Sequence, residues 1–136
     1  MMSEKLRVSF DFDGCLEIDT ITAYAKELVE RGVEVWIVTS RVHELDYLGS
    51  NPNKDMYAIM KGIGIPKMHS VFLGQNTDKH QYFQHDEDFV WHLDDAWDDV
   101  EKINDKTKVK AISNFGNEVV GEWKTQCEAL LKGRDD

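Results

Sequence analysis

The sequence predicts a three-layer α/β/α sandwich built on a mainly parallel five-stranded sheet. Two observations carry that expectation. Strand-like apolar runs and helix-like amphipathic stretches alternate five times along the 136 residues, the order that puts helices on both faces of a parallel sheet. The run 33–40, "VEVWIVTS", is almost continuously apolar, as a strand covered on both faces should be. No internal repeat, low-complexity tract or linker interrupts the order. A single domain over residues 1–136 is therefore expected, within the common size of ~100–150 residues.

The elements follow in order. "KLRVSFDF" (5–12) is a short run rich in β-branched and aromatic residues and reads as a buried strand. "DTITAYAKELVERG" puts Ile21, Ala25, Leu28 and Val29 on one helical face, with Gly32 as its stop. After the strand 33–40, the polar stretch "RVHELDYLGSNPN" reads as a loop or a loop with a short helix. "KDMYAIMKGIGI" follows as a helix with Met56, Ile59, Met60 and Ile63 inward. "SVFLG" (70–74) is a third strand and "KHQYFQ" a short helix. "DFVWHLDD" (88–95) is a fourth strand, "WDDVEKIN" a short helix, "VKAISNF" a fifth strand and "GNEVVGEWKTQCEALLKG" a closing helix.

Composition narrows the function. Hydrophobic residues make up 41% of the chain, enough for a core without disulfides or structural metals. The net charge of −10, from 26 acidic and 16 basic residues, repels phosphate backbones and anionic lipid, so neither nucleic acid nor membrane is an expected partner. Cys15 and Cys127 are the only cysteines, which is no disulfide framework and points to a reducing compartment. No apolar signal core or membrane-length run is visible, so a cytoplasmic location is expected.

In open α/β sheets, ligands bind beyond the carboxyl ends of the strands. The first predicted tip carries Asp11 and Asp13, the second Thr39, Ser40 and Arg41, and the fourth Asp94 and Asp95. Lys79 opens the helix after the third strand. Two carboxylates ~4 Å apart repel by ~4 kcal/mol at an effective dielectric near 20, so acids clustered at strand tips call for a cation. Residues two apart on a strand point the same way, which starts Asp11 and Asp13 on one side, and Gly14 lets the chain turn sharply after them.

The set "DFDGCL", "VWIVTS", Lys79 and "FVWHLDDAWDD" resembles the four motifs of the haloacid dehalogenase-like superfamily. The resemblance runs along essentially the whole chain, in the same order. It implies a Rossmann-like sheet and a phosphomonoester hydrolase that works through an aspartyl-phosphate. By that resemblance Asp11 is the nucleophile. Asp13 is the acid for the leaving group and then the base for water. Thr39 and Lys79 bind and neutralise the phosphoryl group, and Ser40 and Arg41 stand beside them for substrate. Mg²⁺ would be held by the Asp11 carboxylate, the Asp13 main-chain carbonyl and Asp95, with Asp94 and Asp99 as supporting acids. Asp98 competes with Asp99 for that role, and Lys67 with Lys79.

An aspartate at position 13 favours phosphatases over dehalogenases and transport ATPases within the resemblance. The stretch between Asp13 and Thr39 holds one helix and one strand and leaves no room for a large cap. A capless, open site is expected, taking a small phosphate ester, a nucleotide or a phosphorylated protein, with "VHELDYLGSNPN" as its selector. Cys15, where the superfamily more often has Thr or Val, and the short segment after Asp13 support an alternative. That alternative is a binding or regulatory module with weak or no turnover. Other motifs fall away. "GIGIPK" lacks the last glycine of a dinucleotide loop, no Walker-type loop is present, and the five histidines show no tight ligand spacing.

Overall fold

A computed structural model describes residues 5–44, 49, 51–74, 76–114 and 122–134. The strands are β1 (Arg7–Phe10), β2 (Glu34–Thr39), β3 (Ser70–Phe72), β4 (Trp91–Asp94) and β5 (Lys110–Ser113). The helices are α1 (Asp19–Glu30), α2 (Lys54–Ile63), α3 (Lys79–His85), α4 (Trp97–Lys106) and α5 (Glu122–Arg134). The strands form one sheet in the order β3-β2-β1-β4-β5, and every pairing is parallel. The closing helix is described from Glu122 on; the expected start of that helix, 116–121, lies outside the described residues. Among the described residues no helix is long and apolar enough to cross a membrane.

Each face of the sheet has its own apolar layer. One joins Val8, Phe10, Val35 and Ile37 to Leu28 of α1, Met60 of α2 and Cys127 of α5. The other joins Val38 and Ala111 to Phe83 of α3 and to Val100 and Ile103 of α4. The inward residues of α1 and α2 follow the predicted helical faces. Ile21, Ala25 and Leu28 are buried together with Tyr24, and Met56, Met60 and Ile63 are buried, while Val29 and Ile59 pack at the margin. Helix α2 ends at Gly64, whose φ of +101° closes it in the left-handed conformation.

Several strands are shorter than the apolar runs that predict them. Phe89 and Val90 precede β4 yet are buried, because Phe89 joins the layer under α3 and α4 and Val90 the layer under α1. Phe12 is likewise buried past the end of β1. The helices after β1 and β2 lie on one face and those after β3 and β4 on the other. The chain therefore reverses direction across the sheet between β1 and β4, the crevice where α/β sheets bind ligands.

Candidate functional site

Strand alternation decides which side chains reach that crevice. In β1, Val8 and Phe10 enter the α1-side core, so Ser9 and Asp11 lie on the α3 side. In β4, Trp91 and Leu93 enter the same core, and His92 and Asp94 face α3. Ser9 and His92 are also register partners across the two strands. All four polar residues are buried, with Lys79 of α3 above them.

These groups form one connected chain. Ser9 Oγ lies 2.8 Å from His92 Nδ1, and His92 Nε2 lies 2.8 Å from Asp94 Oδ2. Lys79 Nζ donates to Asp94 Oδ2 at 2.5 Å and sits 3.0 Å from Asp11 Oδ1. Asp94 Oδ1 accepts the Ala96 N–H at 2.9 Å. The pattern suits a neutral imidazole with its proton on Nε2, donated to Asp94. Burial agrees, holding His92 below its ordinary value against the pull of Asp94.

Oxygens of Asp11, Asp94 and Asp95 all lie within 4.8 Å of one another. Burial, reinforced by Asp94, pushes Asp11 up to about 8 despite Lys79. Burial alone would also raise Asp94, but His92 and Lys79 outweigh it and hold that carboxyl below the usual range. Lys79 is held above the ordinary lysine value, because its two carboxylates overcome the opposing effect of burial. One ammonium stands against three clustered carboxyl groups, hard oxygen donors that a cation would let ionise together. That donor set fits Mg²⁺. The nearby imidazole is turned into the Asp94 bond, which leaves oxygen as the chemistry of the cluster.

The turn after β1 brings Asp95 into the group. Asp11 N–H still donates to Leu93 O at 2.8 Å, and the chain then folds back through Leu16 N–H to Asp11 O at 3.1 Å. Gly14 sits at φ +73°, a conformation that disfavours any side chain. A Cβ there would also overlap Asp95 Oδ2 and lie 2.9 Å from Asp95 Cγ. Asn114, just past β5, donates its amide to Gly14 O at 3.1 Å and pins the turn.

The other predicted residues fall on two sides of this cluster. Thr39 is buried, and its Oγ1 accepts the Arg41 N–H at 3.1 Å. Asp99 comes within 3.9 Å of Lys79, whereas Asp98 and Ser40 are exposed. Lys67 is 67% exposed and lies near Glu44 rather than the acids. The Asp13 carboxylate is turned out to Arg41, with bonds of 2.9 Å from Nε and 2.7 Å from Nη2. What it leaves for a cation is its main-chain carbonyl. Residues 45–48 and 50 of the expected selector loop lie outside the described residues.

Ser9, Asp55 and Asn114 escaped the sequence reading. A serine inside an otherwise apolar strand was the available signal for Ser9; Asp55, on a helix far along the chain, gave none. A cavity of about 600 Å³ at the opposite end of the sheet, bordered by Leu6, Gly32 and Leu131, holds none of the predicted site residues. Neither a protein-family model nor a curated protein matches the chain.

Proposed function

We propose that the protein is a Mg²⁺-dependent phosphomonoester hydrolase that works through a phosphorylated Asp11, as its resemblance to the haloacid dehalogenase-like superfamily implies. The observation that carries this reading is the meeting of Asp11, Asp94 and Asp95 within 4.8 Å beside a buried lysine at the sheet's reversal point.

In the first step an Asp11 Oδ forms a bond to phosphorus while the ester P–O bond breaks. The departing oxygen keeps the electron pair and takes a proton from the Asp13 carboxyl. In the second step Asp13 removes a proton from water as the water oxygen bonds to phosphorus. The acyl-phosphate P–O bond then breaks, releasing phosphate and restoring Asp11. Lys79, 3.0 Å from Asp11 Oδ1, offsets negative charge there, and preorganised charge of this kind is usually the largest catalytic contribution. Thr39 Oγ1 already accepts an N–H, so its hydroxyl proton is the part it can offer a phosphate oxygen. Mg²⁺, held by Asp11, Asp95 and the Asp13 carbonyl with Asp94 and Asp99 in support, would supply positive charge for the phosphoryl oxygens.

The substrate is a small phosphate ester, a nucleotide or a phosphorylated protein, met in an open site. Cys15 and Cys127 are free and buried, and the same reading assigns the protein to the cytoplasm. The test is hydrolysis of an aryl phosphate with Mg²⁺ and with EDTA. Activity should vanish in EDTA and in Asp11→Asn. Turnover that survives Asp11→Asn removes the nucleophile and the reading with it.

A further inference from the structure

We propose that Arg41 and Asp55 form a positioning device for Asp13, with Asp55 fixing the guanidinium that fixes the catalytic carboxyl. The inference rests on the hydrolase reading above.

A guanidinium has five N–H donors in a rigid plane, and here all five are matched. Nε and Nη2 donate to Asp13 Oδ2 and Oδ1 at 2.9 and 2.7 Å. Nη1 and Nη2 donate to Asp55 Oδ1 and Oδ2 at 2.8 and 2.9 Å, and Nη1 also reaches Pro52 O at 3.3 Å. Its flat face lies 4.7 Å from the centre of the buried Phe12 ring. The backbone N–H of Arg41 is held by Thr39, so both ends of the residue are tied down.

A lone surface ion pair contributes little, but bidentate pairs joined in a network are the exception. Arg41 is 19% exposed between two carboxylates that are each more than half exposed. Asp13 follows Asp11 by two residues and precedes the glycine turn, so nothing in β1 fixes its rotamer. The contact that does so comes from Arg41, two residues past the end of β2, and from Asp55 in the first turn of α2. While this arrangement lasts, Arg41 has no donor left for substrate. Its role is therefore to hold the Asp13 carboxyl, the group that protonates the leaving oxygen, in one fixed position, and Asp55 acts through Arg41.

The test compares two esters under Mg²⁺: phenyl phosphate, whose leaving oxygen needs a proton, and 2,4-dinitrophenyl phosphate, whose leaving oxygen does not. The parameter read is kcat/KM, which reports the step that breaks the ester bond. Asp55→Asn should lower kcat/KM for phenyl phosphate about tenfold, part of the ~10²–10⁴ that general acid catalysis supplies. It should leave the dinitrophenyl ester unchanged, and Asp55→Glu should restore the phenyl rate. Asp55 is exposed, so the variant should fold, and a cooperative thermal transition checks that it does. Arg41→Lys should show the same selectivity. Equal losses on both esters, or no loss on either, overturn the positioning role. A wild type inert toward both esters instead overturns the hydrolase reading beneath it.

Discussion

A cluster of opposite charges sits at each end of the sheet, and the two differ in burial and in balance. At the carboxyl end, Lys79 is 3% exposed against Asp11 at 8% and Asp94 at 0%. At the amino end, Arg31 bonds Glu27 at 3.2 Å and Glu128 at 3.0 Å, all three well exposed. Tyr24 donates to Glu128 there, and Lys124 lies 3.8 Å from Glu27. Both clusters set nitrogen cations against carboxylates. The outer one pairs two cations with two carboxylates in water, while the inner one leaves carboxylates in excess where water cannot screen them. Burial and imbalance together, rather than the presence of ion pairs, are what make the inner cluster a candidate for chemistry.

The contrast is broken most severely by removing the inner cation. Lys79→Met leaves Asp11 and Asp94 buried without their ammonium, and losing one partner of a buried pair costs ~3–5 kcal/mol. Urea unfolding at neutral pH should show a loss of that order. Mg²⁺ should recover part of it, because a cation would again face the carboxylates.

The second effect is a dependence on pH in the presence of EDTA. Asp11 is raised from 3.8 to about 8 by burial, with Asp94 adding to it. The folded state therefore binds a proton that the unfolded chain has released. That contribution to stability is complete below pH ~4 and is lost as pH rises toward 8. Asp99 is also raised by burial and acts with the same sign. Asp94 is lowered, so its contribution is lost only at more acid pH, outside this window. Wild-type stability should fall by on the order of 2 kcal/mol between pH 5 and pH 8, and Asp11→Asn should flatten the slope. The outer cluster tilts the other way. Glu128 is lowered, burial being outweighed by Tyr24 and Arg31, so what it contributes is lost as pH falls.

A pair of glycines sharpens the comparison further. Gly14 at φ +73° and Gly32 at φ +86° share a left-handed backbone at opposite ends of the sheet. Alanine at either should cost ~1–2 kcal/mol for that conformation. Gly32 has open space for a Cβ, whereas at Gly14 it would strike the Asp95 carboxylate. Calorimetric titration with Mg²⁺ should therefore find affinity reduced about tenfold or more in Gly14→Ala, as expected when a metal ligand loses its setting, and unchanged in Gly32→Ala.

These contrasts also mark what could be read from the chain. The tips carrying Asp11, Asp94 and Asp95 were legible because element order plus the carboxyl-end rule fixes where they go. Lys79 was legible from its place at the start of a helix beside them. The run 5–12 was too long for its strand, Arg7–Phe10, since Phe12 is buried by packing rather than by pairing. The Ser9–His92 bond depends on the register of β1 against β4, which no local pattern supplies. Asp55 was invisible because its pairing with Arg41 depends on how the loop after β2 returns to the first turn of α2, which no local pattern supplies.

The smallest effect belongs to the outer cluster. Arg31→Met removes the cation from Glu27 and Glu128, as Lys79→Met does for Asp11 and Asp94. Here water takes its place at both carboxylates, and exposed pairs of this kind are worth ~0–1 kcal/mol. The loss in urea unfolding should stay under about 1 kcal/mol, and 1 M salt should abolish it, since screening at that strength acts within ~3 Å. The Lys79→Met loss should survive the same salt, because a buried pair is screened far less than an exposed one. A salt-resistant loss in Arg31→Met would place both clusters in one electrostatic regime and remove burial as the property that sets the inner one apart.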